Sequence, residues 1–193
     1  MELQDVGQEK RKELRNCILD RFAFQNQCVG NTTGIVLNVG SKEDPAHLKG
    51  NFGDRVLNCD ITTWDSDYRI HVPIDVVMDC RNKWPFDDNY AELVVMGDIL
   101  EHLYEVEAHI ALKEAARVAI KICITVPMNA NSHRLQGGAE LWVRPEGGRG
   151  HCMDWGVDNM TGALRDAGWQ VIQIHVVDGV VVPEGLLVEA ERI

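Results

Sequence analysis

The feature that most constrains this chain is a series of short, nearly unbroken apolar runs, all but the last closed by glycine, proline or aspartate. Gly34-Ile35-Val36-Leu37-Asn38-Val39 ends at Gly40. Arg55–Asp60, Asp75–Asp79, Glu92–Met96 and Ile122–Val126 follow, the last closed by Pro127; Val171–Val177 and Leu186–Ala190 complete the set. Runs of this length bounded by turn residues predict strands. Several are apolar at successive rather than alternate positions, which suits strands covered on both faces, as in a parallel sheet between helices. The predicted core is Val36, Leu37, Val39, Val56, Leu57, Val76, Val77, Leu93, Val94, Val95, Ile122 and Ile124.

Helical patterns fill the gaps. Leu14, Ile18 and Phe22 recur every four residues, so an N-terminal helix is expected within residues 1–30. Asp44-Pro45 reads as an N-cap with proline at the first position of a short helix. Glu101–Val118 is read as one helix with Leu103, Val106, Ile110, Ala111, Ala115 and Val118 on its apolar face. Val157–Ala167 stops at Gly168. The interval Ile61–Pro73 has no helical period, so the crossover there is abbreviated. Strand and helix in alternation predict an α/β fold. With 193 residues and 45% hydrophobic content, residues 1–193 are read as a single domain.

Composition narrows the function classes. A net charge of -11 disfavours a broad basic surface for nucleic acid. The six cysteines are scattered without a CxxC pair, which speaks for reduced thiols and against a zinc knuckle; no metal site is expected. No apolar stretch reaches membrane-spanning length, and the charged N-terminus lacks the apolar core of a signal peptide, so a cytoplasmic protein is expected. There is no GxxxxGK[ST], no HExxH and no nucleophile elbow.

In an open α/β sheet, ligands bind outside the carboxyl ends of the strands. Those ends are Gly40-Ser41, Asp60, Asp79-Cys80 and Gly97-Asp98. Residues 128–156, polar and rich in glycine, are long for a connection and read as a substrate loop or lid. Trp142 and Trp155 in it serve as part of such a lid or as anchors to the core.

The central block, Trp84-Pro85-Phe86-Asp87-Asp88-Asn89 followed by Glu92-Leu93-Val94-Val95-Met96-Gly97-Asp98-Ile99-Leu100-Glu101-His102-Leu103, resembles that of class I S-adenosylmethionine-dependent methyltransferases. Val36–Gly40, Asp60 and Asp79 fall where that family's nucleoside-binding motifs would fall. Ile124-Thr125-Val126-Pro127 and Leu164-Arg165-Asp166-Ala167-Gly168-Trp169 resemble its later segments, so the likeness covers roughly residues 33–177. It implies a doubly wound, mostly parallel seven-stranded sheet with helices on both faces and an antiparallel last strand. It also implies S-adenosylmethionine as cofactor and a small or modest-sized methyl acceptor.

Residue by residue, the resemblance assigns Asp60 to the two ribose hydroxyls and Asp79 to the adenine amino group, with Cys80 beside it. Gly40 and Ser41 would border the cofactor, Gly40 by permitting close backbone approach. Gly97 serves either ligand approach or a tight turn, and Asp98 follows it near the methionine half. Each aspartate has a competing reading as a strand-end cap. Removing a proton from the acceptor needs a base, and His102, His133 and His151 are the candidates, with Asp98 a further one. Against this, His102 reads as capping or polar packing, and His133 and His151 as solvated loop residues. Two positions depart from the family: the first loop, Gly40-Ser41-Lys42-Glu43-Asp44, has one glycine, and no glycine-rich turn precedes the fifth strand. The single-glycine loop motivates the alternative of a non-catalytic binding or regulatory protein on the same fold. A nicotinamide-dependent oxidoreductase is disfavoured, because GxGxxG is missing after the first strand.

Overall fold

The computed structural model describes residues 21–43, 45–65, 70–127, 152–177 and 185–193. Helix α1 (21–30) leads into β1 (Val36–Val39). A single 3-10 turn (Ser41–Glu43) and helix α2 (Ala46–Phe52) connect β1 to β2 (Val56–Asp60). The expected abbreviated crossover is a small antiparallel hairpin, β3 (Trp64–Asp65) with β4 (Ile70–His71), before the short strand β5 (Val76–Val77). Strand β6 (Ala91–Gly97), helix α3 (Glu105–Val118), strand β7 (Ala119–Pro127), helix α4 (Val157–Asp166) and strands β8 (Trp169–Val177) and β9 (Gly185–Arg192) follow.

Among the described residues, seven strands form one sheet in the order β5-β2-β1-β6-β7-β9-β8. Pairing is parallel from β5 through β7; β9 runs antiparallel to both β7 and β8. The strand order reverses beside β1, between β2 and β6, the position at which open α/β sheets form a ligand crevice.

The unbroken apolar runs have the expected cause. Val36, Leu93, Val95 and Cys123 pack with Phe24, Cys28 and Leu48 on the side of α1 and α2. Their sequence neighbours Leu37, Val94, Met96, Ile122 and Ile124 pack on the other side with α3 and α4, through Ala108, Ala111, Leu112, Met160 and Leu164. Successive strand residues point to opposite faces, so both sets must be apolar.

Three local expectations are corrected. Val77 is exposed and Val76 half-buried, because β5 is a two-residue edge strand. Leu100–His102 form a separate 3-10 turn, and α3 begins only at Glu105. Its buried face is Ala108, Ala111, Leu112, Ala115, Ala116 and Val118, whereas Val106 is 73% exposed and Ile110 39%. At about 100° per residue, Val106 stands about 140° from Ala111 on the helix wheel, and the alanines with Leu112 and Val118, not Val106 and Ile110, form the buried face. Finally, Pro45 occupies the N-cap of α2 rather than its first helical position. Residues 1–20, Asp44 and 128–151 of the expected N-terminal helix, cap and loop lie outside the described residues. Among the described residues no helix is long and apolar enough to cross a membrane.

Candidate functional site

Two buried asparagines bring the crevice walls together. Asn38 of β1 donates its side-chain amide to Asn58 Oδ1 of β2 at 3.0 Å, and Asn58 Nδ2 donates to the Pro45 carbonyl at 2.7 Å. Asp75 Oδ2 accepts the Asn58 backbone N–H at 2.8 Å. Buried amides without partners would cost free energy, so this network fixes the loop entering α2 and the chain entering β5 against the strand ends.

Beyond it lies a cavity of about 250 Å³ at the carboxyl ends of β1, β2 and β5. Val39 and Gly40 line it from β1, Asp60 and Ile61 from β2, and Met78, Asp79, Cys80 and Arg81 from the segment after β5. Ile99, His102 and Leu103 close it from the segment after β6. Of the residues singled out in the sequence, Gly40, Asp60, Asp79, Cys80 and His102 therefore come together in one space.

Gly40 has φ +79, a backbone that disfavours a side chain, and a Cβ there would fall 2.7 Å from Ile99 Cδ1. The cavity wall is thus built on contact between backbone and Ile99. Asp60 Oδ2 accepts the Lys42 backbone N–H at 3.0 Å, and Oδ1 accepts that of Ile61 at 2.8 Å. Burial raises the Asp60 pKa above the ordinary aspartate value; the backbone N–H groups of Lys42 and Ile61 oppose that rise without cancelling it.

Asp79 is held differently. Arg81 grips it with a two-pronged fork, Nε to Oδ1 at 2.7 Å and Nη2 to Oδ2 at 2.6 Å, and the Arg81 backbone N–H adds a bond of 3.0 Å to Oδ1. Arg81 Nη1 also stands 3.6 Å from Glu107 Oε1 on α3. Cys80 lines the same wall, but burial, and then the neighbouring Asp79 charge, push its thiol up to about 12. A protonated thiol is a poor nucleophile, so Cys80 contributes shape.

The loop carrying these groups is clasped from below. Arg117 of α3 donates to the carbonyls of Trp84 (3.1 Å) and Phe86 (2.8 Å) and pairs with Glu114 at 2.7 Å. Glu114 in turn accepts the Trp84 backbone N–H at 2.8 Å, and Trp84 Nε1 donates to the Cys80 carbonyl at 3.0 Å.

His102 reaches the cavity from the 3-10 turn. Its Nε2 stands 3.9 Å from Glu101 Oε1, a carboxylate only 2% exposed. The Glu101 carbonyl accepts the N–H groups of Cys152 (2.6 Å) and Met153 (3.2 Å), tying the segment that leads into α4 to the same rim. Trp155 is buried in the core and so acts there as an anchor.

The remaining sequence candidates sit outside the cavity lining. Ser41 is buried, with its hydroxyl turned to the Cys59 carbonyl at 3.5 Å. Gly97 adjoins Gln25 of α1: a Cβ there would fall 2.5 Å from Gln25 Nε2, which donates to Thr125 Oγ1 at 2.8 Å. Asp98, with φ 51, is paired to Arg21 at 2.6 Å. His133 and His151 lie outside the described residues. Sequence reasoning missed Arg81, Ile99 and Gln25. For Arg81 the Asp79-Cys80-Arg81 spacing was the available signal; for Gln25, nothing local was.

The strand order and the cavity position define a class I methyltransferase fold. No family model matches the chain, and no curated protein matches it. Among solved structures it is similar to magnesium protoporphyrin IX methyltransferase from Synechocystis PCC 6803 with bound S-adenosylhomocysteine, at TM-score 0.64 and 15% identity over 100% of this chain and 90% of that one. It is similar also to 1,6-didemethyltoxoflavin-N1-methyltransferase from Burkholderia thailandensis, with 1,6-didemethyltoxoflavin and S-adenosylhomocysteine bound, at TM-score 0.63 and 12% identity over 90% of this chain and 76% of that one. A third is a methyltransferase from Methanosarcina mazei, at TM-score 0.60 and 13% identity over 86% and 96%.

Proposed function

We propose that this chain binds S-adenosylmethionine in the cavity and transfers its methyl group to a small or modest-sized acceptor. The observation that carries the reading is the meeting of Asp60 and Asp79 in one cavity bordered by Gly40. Asp60 offers two carboxylate oxygens to the two ribose hydroxyls, and Asp79 accepts from the adenine amino group. The volume of about 250 Å³ is slightly below the common range for whole ligand sites, about 300–1,000 Å³, and fits a nucleoside half. The similar structures that hold S-adenosylhomocysteine or S-adenosylmethionine support the same cofactor here.

When bound, the sulfonium supplies an electrophilic methyl carbon for in-line attack by the acceptor. The chain's own work is positioning and proton removal. His102, at the cavity rim beside the Glu101 carboxylate, is the base that takes the acceptor's proton. The net charge of -11 favours a small-molecule acceptor over nucleic acid.

A second reading, nucleoside binding without methyl transfer, draws on α1: Gln25 packs against Gly97 and Arg21 holds Asp98, both at the end of β6. Calorimetric titration with S-adenosylmethionine, S-adenosylhomocysteine and adenosine separates the two. Micromolar binding of the first two, lost at least ten-fold in Asp60→Ala, supports the transferase. Binding of adenosine alone supports the second reading, and no binding by folded protein overturns both.

A further inference from the structure

Resting on the cofactor reading above, we propose that Arg81 is the specificity-determining residue of the nucleoside end, selecting a 6-aminopurine through the geometry it imposes on Asp79. Two N–H···O bonds of 2.7 and 2.6 Å, one to each carboxylate oxygen, hold Asp79 to the guanidinium, and the Arg81 backbone N–H at 3.0 Å adds a third constraint. The pair is partly buried, with side chains 30% and 22% exposed, so the fork is sheltered from the screening that weakens surface pairs. Both residues line the cavity.

A carboxylate fixed in this way keeps its orientation when water leaves the pocket. It therefore acts as a standing acceptor. A base with an exocyclic amino donor satisfies it. A base with a carbonyl at the same position sets an acceptor against an acceptor and leaves a buried anion poorly solvated, the situation that gives polar sites their sharpest discrimination. Without the fork, Asp79 loses the two side-chain bonds that set its orientation and keeps the Arg81 backbone N–H, so the amino contact weakens and the carbonyl is less sharply opposed. Lysine keeps the charge but lacks the planar two-pronged donor set. Arg81 acts through Asp79 and is a positioning residue.

The test is calorimetric titration of the full chain with S-adenosylhomocysteine and with S-inosylhomocysteine, which carries a 6-oxo group and an N1–H in place of the 6-amino group and the bare N1. Wild type is expected to prefer the amino ligand by at least ten-fold. Arg81→Ala and Arg81→Lys are expected to reduce that ratio at least five-fold, chiefly by weakening the adenosyl ligand. The ratio of two affinities is insensitive to the fraction of protein folded, so a merely structural role would not move it. Glu107→Gln, which weakens the 3.6 Å contact and keeps a side-chain oxygen to accept the Tyr104 N–H, is expected to leave the ratio within two-fold. An unchanged ratio in both Arg81 variants, or a collapsed one in Glu107→Gln, overturns the assignment to the fork. Failure of wild type to bind S-adenosylhomocysteine at all overturns the cofactor reading and this inference with it.

Discussion

Lys42 donates its backbone N–H to Asp60 Oδ2 at 3.0 Å, so the loop after β1 is stitched to the end of β2 by the same carboxylate assigned to the ribose. Burial raises the Asp60 pKa in the folded state, against the opposing N–H bonds. The folded protein therefore holds the Asp60 proton more tightly than the unfolded chain, and this group's contribution to stability falls as pH rises from the ordinary carboxylate value through the folded one. Asp60→Asn removes that dependence. Its melting temperature relative to wild type should climb as pH rises through the window just above the ordinary carboxylate range. Thermal denaturation at closely spaced pH values reads this directly; a constant offset would mean that Asp60 does not titrate there. S-adenosylhomocysteine affinity of wild type should fall as pH drops into the same window, because protonation removes one acceptor.

Gly40→Ala should destabilise through two separable effects. A φ of +79 costs a side chain about 1–2 kcal/mol, and the new Cβ would meet Ile99 Cδ1 at 2.7 Å, adding overpacking of about 1–3 kcal/mol. Gly53→Ala is the control. Its φ is +69, with nothing within 4 Å of the new Cβ, so it carries the backbone term alone. Chemical denaturation of both variants should show Gly40→Ala as the worse, and it alone should weaken ligand binding, since Ile99 lines the cavity. Equal losses would assign the whole effect to the backbone.

How much of this was legible in the sequence follows from the range of each interaction. The strands were readable because their burial on both faces forces consecutive apolar residues such as Leu93-Val94-Val95-Met96, a local pattern. Asp60, Asp79 and Gly40 were readable because strand ends are where such sheets bind ligands. The α3 face was misread because Val106 and Ile110 are more hydrophobic than the alanines, while closeness of approach to the sheet favours the smaller side chains. Gln25 against Gly97 was not readable at all, since a contact between residues 72 apart leaves no trace in either neighbourhood.

Arg117→Ala should loosen the cavity wall from a distance. It strips the Trp84 and Phe86 carbonyls and Asp88 of a charged donor and leaves Glu114, 17% exposed, with the Trp84 N–H but without its guanidinium partner. Hydrogen bonds to charged groups contribute about 1.5–3 kcal/mol, so a loss of about 3 kcal/mol is expected. Burial opposes ionisation of Glu114, but the Arg117 side chain and the Trp84 N–H outweigh it and lower its pKa. A lowered carboxylate contributes stability that is present above its unfolded pKa and lost as pH falls through the folded one. The gap between wild type and Arg117→Ala should therefore narrow in acid, below the ordinary glutamate range. Urea denaturation at neutral and acid pH measures it, and a gap that stays constant would place the loss in the carbonyl contacts alone.

Gln25 and Gly97 should be coupled. The Gln25 amide crosses from α1 to donate to Thr125 Oγ1 at 2.8 Å, and it fits only because Gly97 has no Cβ to stand 2.5 Å from its nitrogen. Gly97→Ala expels or distorts a buried, hydrogen-bonded amide, with an expected loss of about 2 kcal/mol. Gln25→Ala forfeits the hydrogen bond and leaves Thr125 with one partner fewer, an expected loss of about 1–2 kcal/mol. In the double variant the new methyl group enters space that the glutamine has vacated, so the combined loss should fall short of the sum by about 1 kcal/mol, within the usual range for residues in contact. A double-mutant cycle by chemical denaturation reads that difference. Strict additivity would mean that Gly97 is required for the turn into Asp98 and not for the passage of Gln25, and the hold of α1 on the end of β6 would then rest on Arg21 and Asp98.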